Sequence, residues 1–148
     1  MTDATDYAAY LECLELVNRA TYLMDHHQAD AFADLFTIDG SFLPPAEYPD
    51  GKAMEGREAI RTALMSRPAS LITRHVSSNL RLESVTADRM VATHYFLHFR
   101  DTCEAGQVLP LPIEGTLRSV GEYRDEFIRT DGQWLIAKRE AQFVFGHR

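Results

Sequence analysis

Apolar residues recur every three or four positions in the first part of the chain and every second position in the last half. The pattern therefore changes from helix to strand. Tyr7, Tyr10, Leu14, Val17, Thr21 and Met24 share helical spacing without a Gly or Pro among them, predicting a long helix over 7–27. Asp3, Thr5 and Asp6 offer capping oxygens and negative charge at its start. A short helix is expected over 30–36, with Ala31, Phe32, Leu35 and Phe36 as its apolar side. Residues 37–43 read as a turn entering a short strand. Pro44, Pro45, Pro49 and Gly51 impose a loop over 44–52. A third helix over 56–67 carries Ile60 and Leu64 four apart, and Pro68 closes it.

From Leu71 the pattern alternates, predicting strands over 72–85, 89–100, 115–129 and 133–145. Asp131-Gly132 is a strong hairpin signal because both residues tolerate positive φ, and Thr86-Ala87-Asp88 is a weaker one. Residues 102–112, with Gly106, Pro110 and Pro112, form the longest inter-strand loop. Three helices followed by four antiparallel strands is an α+β order. A long curved sheet folded around a helix pair encloses a pocket.

Composition narrows the class. The 148 residues suit one domain spanning 1–148, without repeats or low-complexity stretches. Apolar residues are 45% and charged residues 25%, as in folded globular chains. Fifteen Lys and Arg against 22 Asp and Glu give a net charge of -7, which argues against a nucleic-acid partner. No apolar run approaches the ~20 residues of a membrane span, and the first six residues are acidic where a signal peptide is basic. Cys13 and Cys103 suggest neither a disulfide framework nor a thiolate metal site. The expectation is a cytoplasmic globular protein.

Candidate chemistry gathers in three places. Asn18, Tyr22 and Asp25 fall on one helical stripe that Leu11 and Leu14 continue as apolar. Thr73, His75, Ser77 and Asn79 share one strand face, opposite Val76, Leu80 and Leu82, and that polar face meets either solvent or a polar cavity. Ala92, His94, Phe96, His98 and Arg100 alternate with Val91, Thr93, Tyr95, Leu97 and Phe99. Both faces of this strand are largely apolar, so each is expected to be covered, one by the helices and the other by a second copy of the chain. His94 and His98 lie ~13 Å apart on a strand, too far to share a metal ion. His26 and His27 are expected at the surface, and His147 in the tail. No nucleophile elbow, phosphate loop or dinucleotide fingerprint occurs. Cys13 reads as core and Cys103 as incidental. An Asp and a His with Tyr and Arg point to proton transfer rather than covalent catalysis.

Four stretches carry a family resemblance: Tyr22-Leu23-Met24-Asp25; Ala33-Asp34-Leu35-Phe36-Thr37-Ile38-Asp39-Gly40; Arg74-His75-Val76-Ser77-Ser78-Asn79-Leu80; and 122–134, from Glu122-Tyr123-Arg124-Asp125 to Gly132-Gln133-Trp134. In this order they resemble the SnoaL-like branch of the nuclear-transport-factor-two-like superfamily. The resemblance implies a cone-shaped α+β barrel, three N-terminal helices packed in a curved, mainly antiparallel sheet. Within that superfamily the chain is similar to scytalone dehydratase, hexachlorocyclohexane dehydrochlorinase and bile-acid dehydratase. These set an Asp at the end of the first helix against a His at the start of the first long strand, and Asp25 and His75 match those positions. Arg129 matches an Arg that assists a departing anion. Two positions depart from the pattern: Met24 stands where scytalone dehydratase has a tyrosine, and the dehydrochlorinase's helix lysine has only Arg19 nearby.

The resemblance implies a cofactor-independent lyase or isomerase, with no metal, acting on a small hydrophobic ring-containing molecule. His75 is then the general base and Asp25 the carboxylate that fixes its tautomer. Tyr22, Tyr123 or His98 would hydrogen-bond a carbonyl or leaving hydroxyl, and Phe42, Phe96 and Phe143 would line the mouth. A homodimer through the sheet is expected. Two other readings accompany this one. The Arg-His-x-x-Ser-Asn run also resembles the non-catalytic small subunits of ring-hydroxylating dioxygenases, and a small-molecule binding protein would share the same pocket.

Overall fold

The computed structural model describes residues 4–47 and 51–146. The expected capping by Asp3, part of the 44–52 loop, and His147 lie outside the described residues, as do the side chains of Thr5 and Asp6. Helices α1 (Ala4–Asp25), α2 (Ala29–Ala33) and α3 (Arg57–Met65) pack against one six-stranded sheet. Its strands are β1 (Phe36–Leu43), β2 (Met54–Glu55), β3 (Leu71–Val85), β4 (Arg89–Thr102), β5 (Leu117–Thr130) and β6 (Gln133–Gly146), in the order β2-β1-β6-β5-β4-β3. The architecture is thus mixed α+β around a curved sheet. The third helix follows β1 and β2 instead of closing an all-helical N-terminal block. β1 joins the sheet parallel to β6, so the sheet extends beyond the four expected antiparallel strands.

Turn chemistry fixes the registers. Asp131 and Gly132 have φ of 51° and 79°, so both central residues of the β5–β6 hairpin are left-handed. A two-residue turn of that kind matches the twist of the strands it joins. Thr86 closes the β3–β4 hairpin through its backbone N–H, which donates to the Arg89 carbonyl at 2.8 Å. Halfway along β3, Asn79 has φ 58° and the pairing with β4 slips between Ser78 and Arg81. This bulge inverts the alternation. Thr73, His75 and Ser77 face inward before it, whereas Leu80 and Leu82 pack against the core after it. Leu80 and Leu82 therefore share His75's side of the sheet, contrary to simple period-two reading.

The buried stripe of α1 is Cys13, Leu16, Val17, Ala20 and Met24, packed in one core with Phe32, Phe36, Met90, Phe96, Phe127 and Ile136. Under this layer lies a charged cluster. Asp125 accepts two hydrogen bonds from Arg139, at 2.8 and 2.7 Å, and one from His94 Nε2 at 3.0 Å. All three residues are at most 1% exposed. Burial pushes the Asp125 carboxyl up, but the Arg139 charge and the bonds from Arg139 and His94 outweigh it and hold it at about 2. The Arg139 guanidinium lies 4.7 Å from the centre of the Tyr123 ring, supporting that ring from beneath. Cys13 belongs to the core as expected, its thiol pushed up to about 12 by burial and by Glu12 and Asp125.

Candidate active site

Asp25 is the last residue of α1 and is buried. Its Oδ1 accepts from the Thr73 hydroxyl at 2.8 Å and from His75 Nδ1 at 2.6 Å, and its Oδ2 accepts from the His75 backbone N–H at 2.7 Å. Three donors converge on one carboxylate. Burial pushes Asp25 upward, yet the bonds and charge of His75 prevail, so the carboxyl sits below its ordinary value and is ionised at neutral pH. A carboxylate beside Nδ1 requires the ring proton there, leaving the Nε2 lone pair free to accept a proton. The Thr73 hydroxyl, while donating to Asp25, accepts from Arg67 Nη2 at 2.9 Å. Arg67 Nη1 donates to the Met24 carbonyl at 2.6 Å, tying the segment after α3 to the end of α1.

His75 opens into a cavity of about 480 Å³, within the range of small-molecule sites. Phe42, Phe96, Phe143, Met24, Leu64 and Tyr123 supply much of its apolar wall. Phe96 is held by a missing side chain. A Cβ on Gly121 would meet the Phe96 ring and the Gln142 carbonyl closer than real carbon contacts allow, so only glycine lets the ring lie across β5. Phe96 then packs 4.5 Å from the Tyr123 ring and 6.1 Å from Phe143. His98 also lines the cavity and stacks on His75, ring centres 4.5 Å apart and 13° from parallel. Burial, with the charges of His75, Arg100 and Arg67, presses His98 down to about 3 against the weaker pull of Asp25, so it is neutral at physiological pH.

The structure thus brings together Asp25, His75, His98, Tyr123, Phe42, Phe96 and Phe143. Tyr22 and Arg129 lie apart from them. Tyr22 is 56% exposed and stacks on His26 at 4.0 Å, away from the cavity. At ~100° per residue it sits on the side of α1 opposite Val17, Ala20 and Met24, while Asp25 flanks that stripe within reach of β3. Arg129 is exposed and lies over Trp134 at 5.9 Å, near the β5–β6 turn. Eight residues along β5 separate it from Gly121, roughly 26 Å of strand from the level of Phe96. His27 is also tied down: its Nε2 donates to the Leu71 carbonyl at 2.8 Å, fixing the turn after α1 against the start of β3. Sequence reading overlooked Arg67, Arg100 and Lys52 as lining residues. For Arg100 the signal was present, since it shares the inward face of β4 with Phe96 and His98. Among the described residues, no group of three His, Cys, Asp or Glu side chains is arranged to hold a metal ion. No helix among them is long and apolar enough to cross a membrane.

A curved α+β sheet with a carboxylate–imidazole pair opening into an apolar cavity defines the class. The family model for the SnoaL-like domain matches residues 5–140, and the chain belongs to that family. No curated protein matches it. Among solved structures it is similar to a Mycobacterium tuberculosis protein of unknown function, 25% identical over 93% of this chain and 72% of that one, TM-score 0.74. A candidate scytalone dehydratase from Novosphingobium aromaticivorans is 19% identical over 97% of this chain and 89% of its own, TM-score 0.77. A type 2 hexachlorocyclohexane dehydrochlorinase is likewise 19% identical, over 99% and 92%, with TM-score 0.78. The last two likenesses concern the fold.

Proposed function

We propose that the protein is a cofactor-independent lyase or isomerase that moves a proton on a small, apolar, ring-containing molecule. The observation that carries this reading is the 2.6 Å contact between Asp25 and His75 at the wall of a largely apolar cavity. His75 Nε2 takes a proton from a carbon beside an electron-withdrawing group, and the C–H electron pair passes into a new double bond or enolate. Asp25 stabilises the imidazolium as it forms. His98, kept neutral, stacks on that imidazolium without opposing its charge. The Tyr123 hydroxyl is the group we assign to the substrate's developing oxyanion or departing hydroxyl, a role in which one aligned donor contributes roughly 3 kcal/mol. Phe42, Phe96 and Phe143 select the ring.

The test needs no knowledge of the natural substrate. Ring ketones such as β-tetralone, incubated in D2O, should gain deuterium beside the carbonyl faster with the protein than in buffer, as read by NMR. His75→Ala should fold, by circular dichroism, and lose nearly all of this exchange. Exchange no faster than buffer with the wild-type protein, or full exchange with His75→Ala, refutes the reading.

A second copy is the partner we propose for the outer face of the sheet. Val76, Leu97, Val120 and Phe145 are paired neighbours in one row across β3, β4, β5 and β6. Val76, Leu97 and Phe145 are 50%, 37% and 69% exposed. An all-apolar row is self-complementary about a two-fold axis.

A further inference from the structure

The cavity described above is apolar in its depth but not around its whole wall. Among the described residues its lining includes Lys52, Arg67 and Arg100 and not one Asp or Glu side chain. This runs against the chain as a whole, where acidic residues outnumber basic ones 22 to 15. Asp25, bonded to the lining residue His75, is already engaged by three donors from Thr73 and His75. Among the described residues neither the Arg100 guanidinium nor the Lys52 ammonium has a carboxylate partner, whereas Arg57, Arg61, Arg89, Arg124, Lys138 and Arg139 each have one.

The two guanidinium groups are placed by the β3–β4 ladder. Arg100 pairs with Thr73 across it, and Thr73 is the residue whose hydroxyl receives Arg67 Nη2. Arg67 and Arg100 therefore flank one end of the cavity. Arg100 also follows His98 by two residues on the same strand face, about 7 Å along the strand. His98 registers this charge, since Arg100 and Arg67 both help press its proton off. Lys52 closes the rim from the segment between β1 and β2.

We infer that the molecule this cavity accepts carries an anionic group, a carboxylate, held by Arg100 and Lys52 at the rim about one ring's width from the His75–His98 pair. This deepens the proton-transfer reading and relies on it for where the reacting carbon lies. The guanidinium donates two parallel N–H bonds to a carboxylate, and the lysine adds a point charge beside it. At that distance the anion is a handle that orients the ring rather than the group that acidifies the carbon. Binding energy gained there is available to position the reacting C–H against Nε2.

Calorimetry with β-naphthylacetate and its uncharged amide, two probes of one shape, tests this at neutral pH. The acid should bind at least about tenfold more tightly than the amide, and the gap should shrink with added salt, as exposed charges are screened. Arg100→Gln should bring the acid down to the amide's affinity while leaving the amide unchanged, and Lys52→Gln should do so in part. His75→Gln should keep the preference for the acid. Equal binding of acid and amide, binding of neither, or a preference that survives Arg100→Gln overturns the inference. So does a preference lost in His75→Gln, because the anion would then rest on the imidazole. These outcomes are read by binding, whereas the proton-transfer reading stands or falls on deuterium exchange, so either can fail alone.

Discussion

Replacing Asp25 by Asn preserves shape and removes one acceptor, and the site offers no painless way to take the amide. Asp25 receives the Thr73 hydroxyl, His75 Nδ1–H and the His75 backbone N–H. An amide has one acceptor oxygen and two N–H donors. With its oxygen toward Nδ1 and Thr73, its NH2 faces the backbone N–H of His75 and leaves that donor unmet, a cost of about 1–3 kcal/mol. Turned over, the oxygen serves the backbone and the NH2 confronts Nδ1, which can accept only if the ring proton moves to Nε2. The Thr73 hydroxyl can rotate to a new partner but the backbone N–H cannot, so the second arrangement wins. His75 then presents a proton to the cavity where it needs a lone pair. The same tautomer inversion costs about 10⁴ in kcat in Ser-His-Asp triads, and a comparable loss of deuterium exchange is expected here. Losing charge-assisted bonds should lower stability by about 2 kcal/mol, or roughly 4–8 °C in Tm. Ring-nitrogen NMR on protein carrying ¹⁵N-histidine should report the proton on Nδ1 in the wild type and on Nε2 in the variant. A wild-type ring protonated on Nε2, or a variant that keeps both its tautomer and its exchange rate, refutes the reasoning.

Other expectations follow from groups around this pair. His98 is held at about 3 in the folded state against an ordinary 6.5, so below pH 6.5 the unfolded chain takes a proton the native state refuses. Stability should decline from pH 6.5 toward 3 by up to roughly 1.4 kcal/mol per pH unit from this group, and His98→Gln should flatten the slope in urea titrations; equal slopes would contradict the burial argument. Asp125→Ala strands the Arg139 charge in the core, and breaking such a pair should cost about 3–5 kcal/mol by urea unfolding. A loss under about 1 kcal/mol would mean that solvent or another group relieves Arg139. If the proposed dimer forms through the outer sheet face, Leu97→Glu should reduce the mass by light scattering to that of a monomer without altering deuterium exchange per site, and a wild-type monomer or an unchanged mass would refute that interface.

The three helices, the limits of β1 and β3 to β6 to within about two residues, and the β5–β6 turn were legible in the sequence, because these depend on local chemistry, whereas the two-residue β2 left no periodic signal. Period-two alternation marked β3 to β6, and Asp131-Gly132 fixed the sharpest turn through backbone freedom alone. Asp25, His75 and their pairing were nominated only through a family pattern, and nothing in the local sequence places the two side chains together. They lie fifty residues apart, and only the packing of α1 across β3 brings them together. Tyr22 shows the limit of helical spacing, which says which residues share a stripe but not which way the stripe faces. Asn79 shows the limit of alternation: one left-handed residue turned Leu80 and Leu82 to the other side. Arg139 and Asp125 are polar letters on two strands that local sequence does not link, and they form a buried ion pair because neighbouring strands set them side by side. What the sequence by itself determined were the short-range backbone preferences. Which polar groups would be desolvated, and against which partners, depends on contacts distant in the chain, and only the tertiary structure decided that.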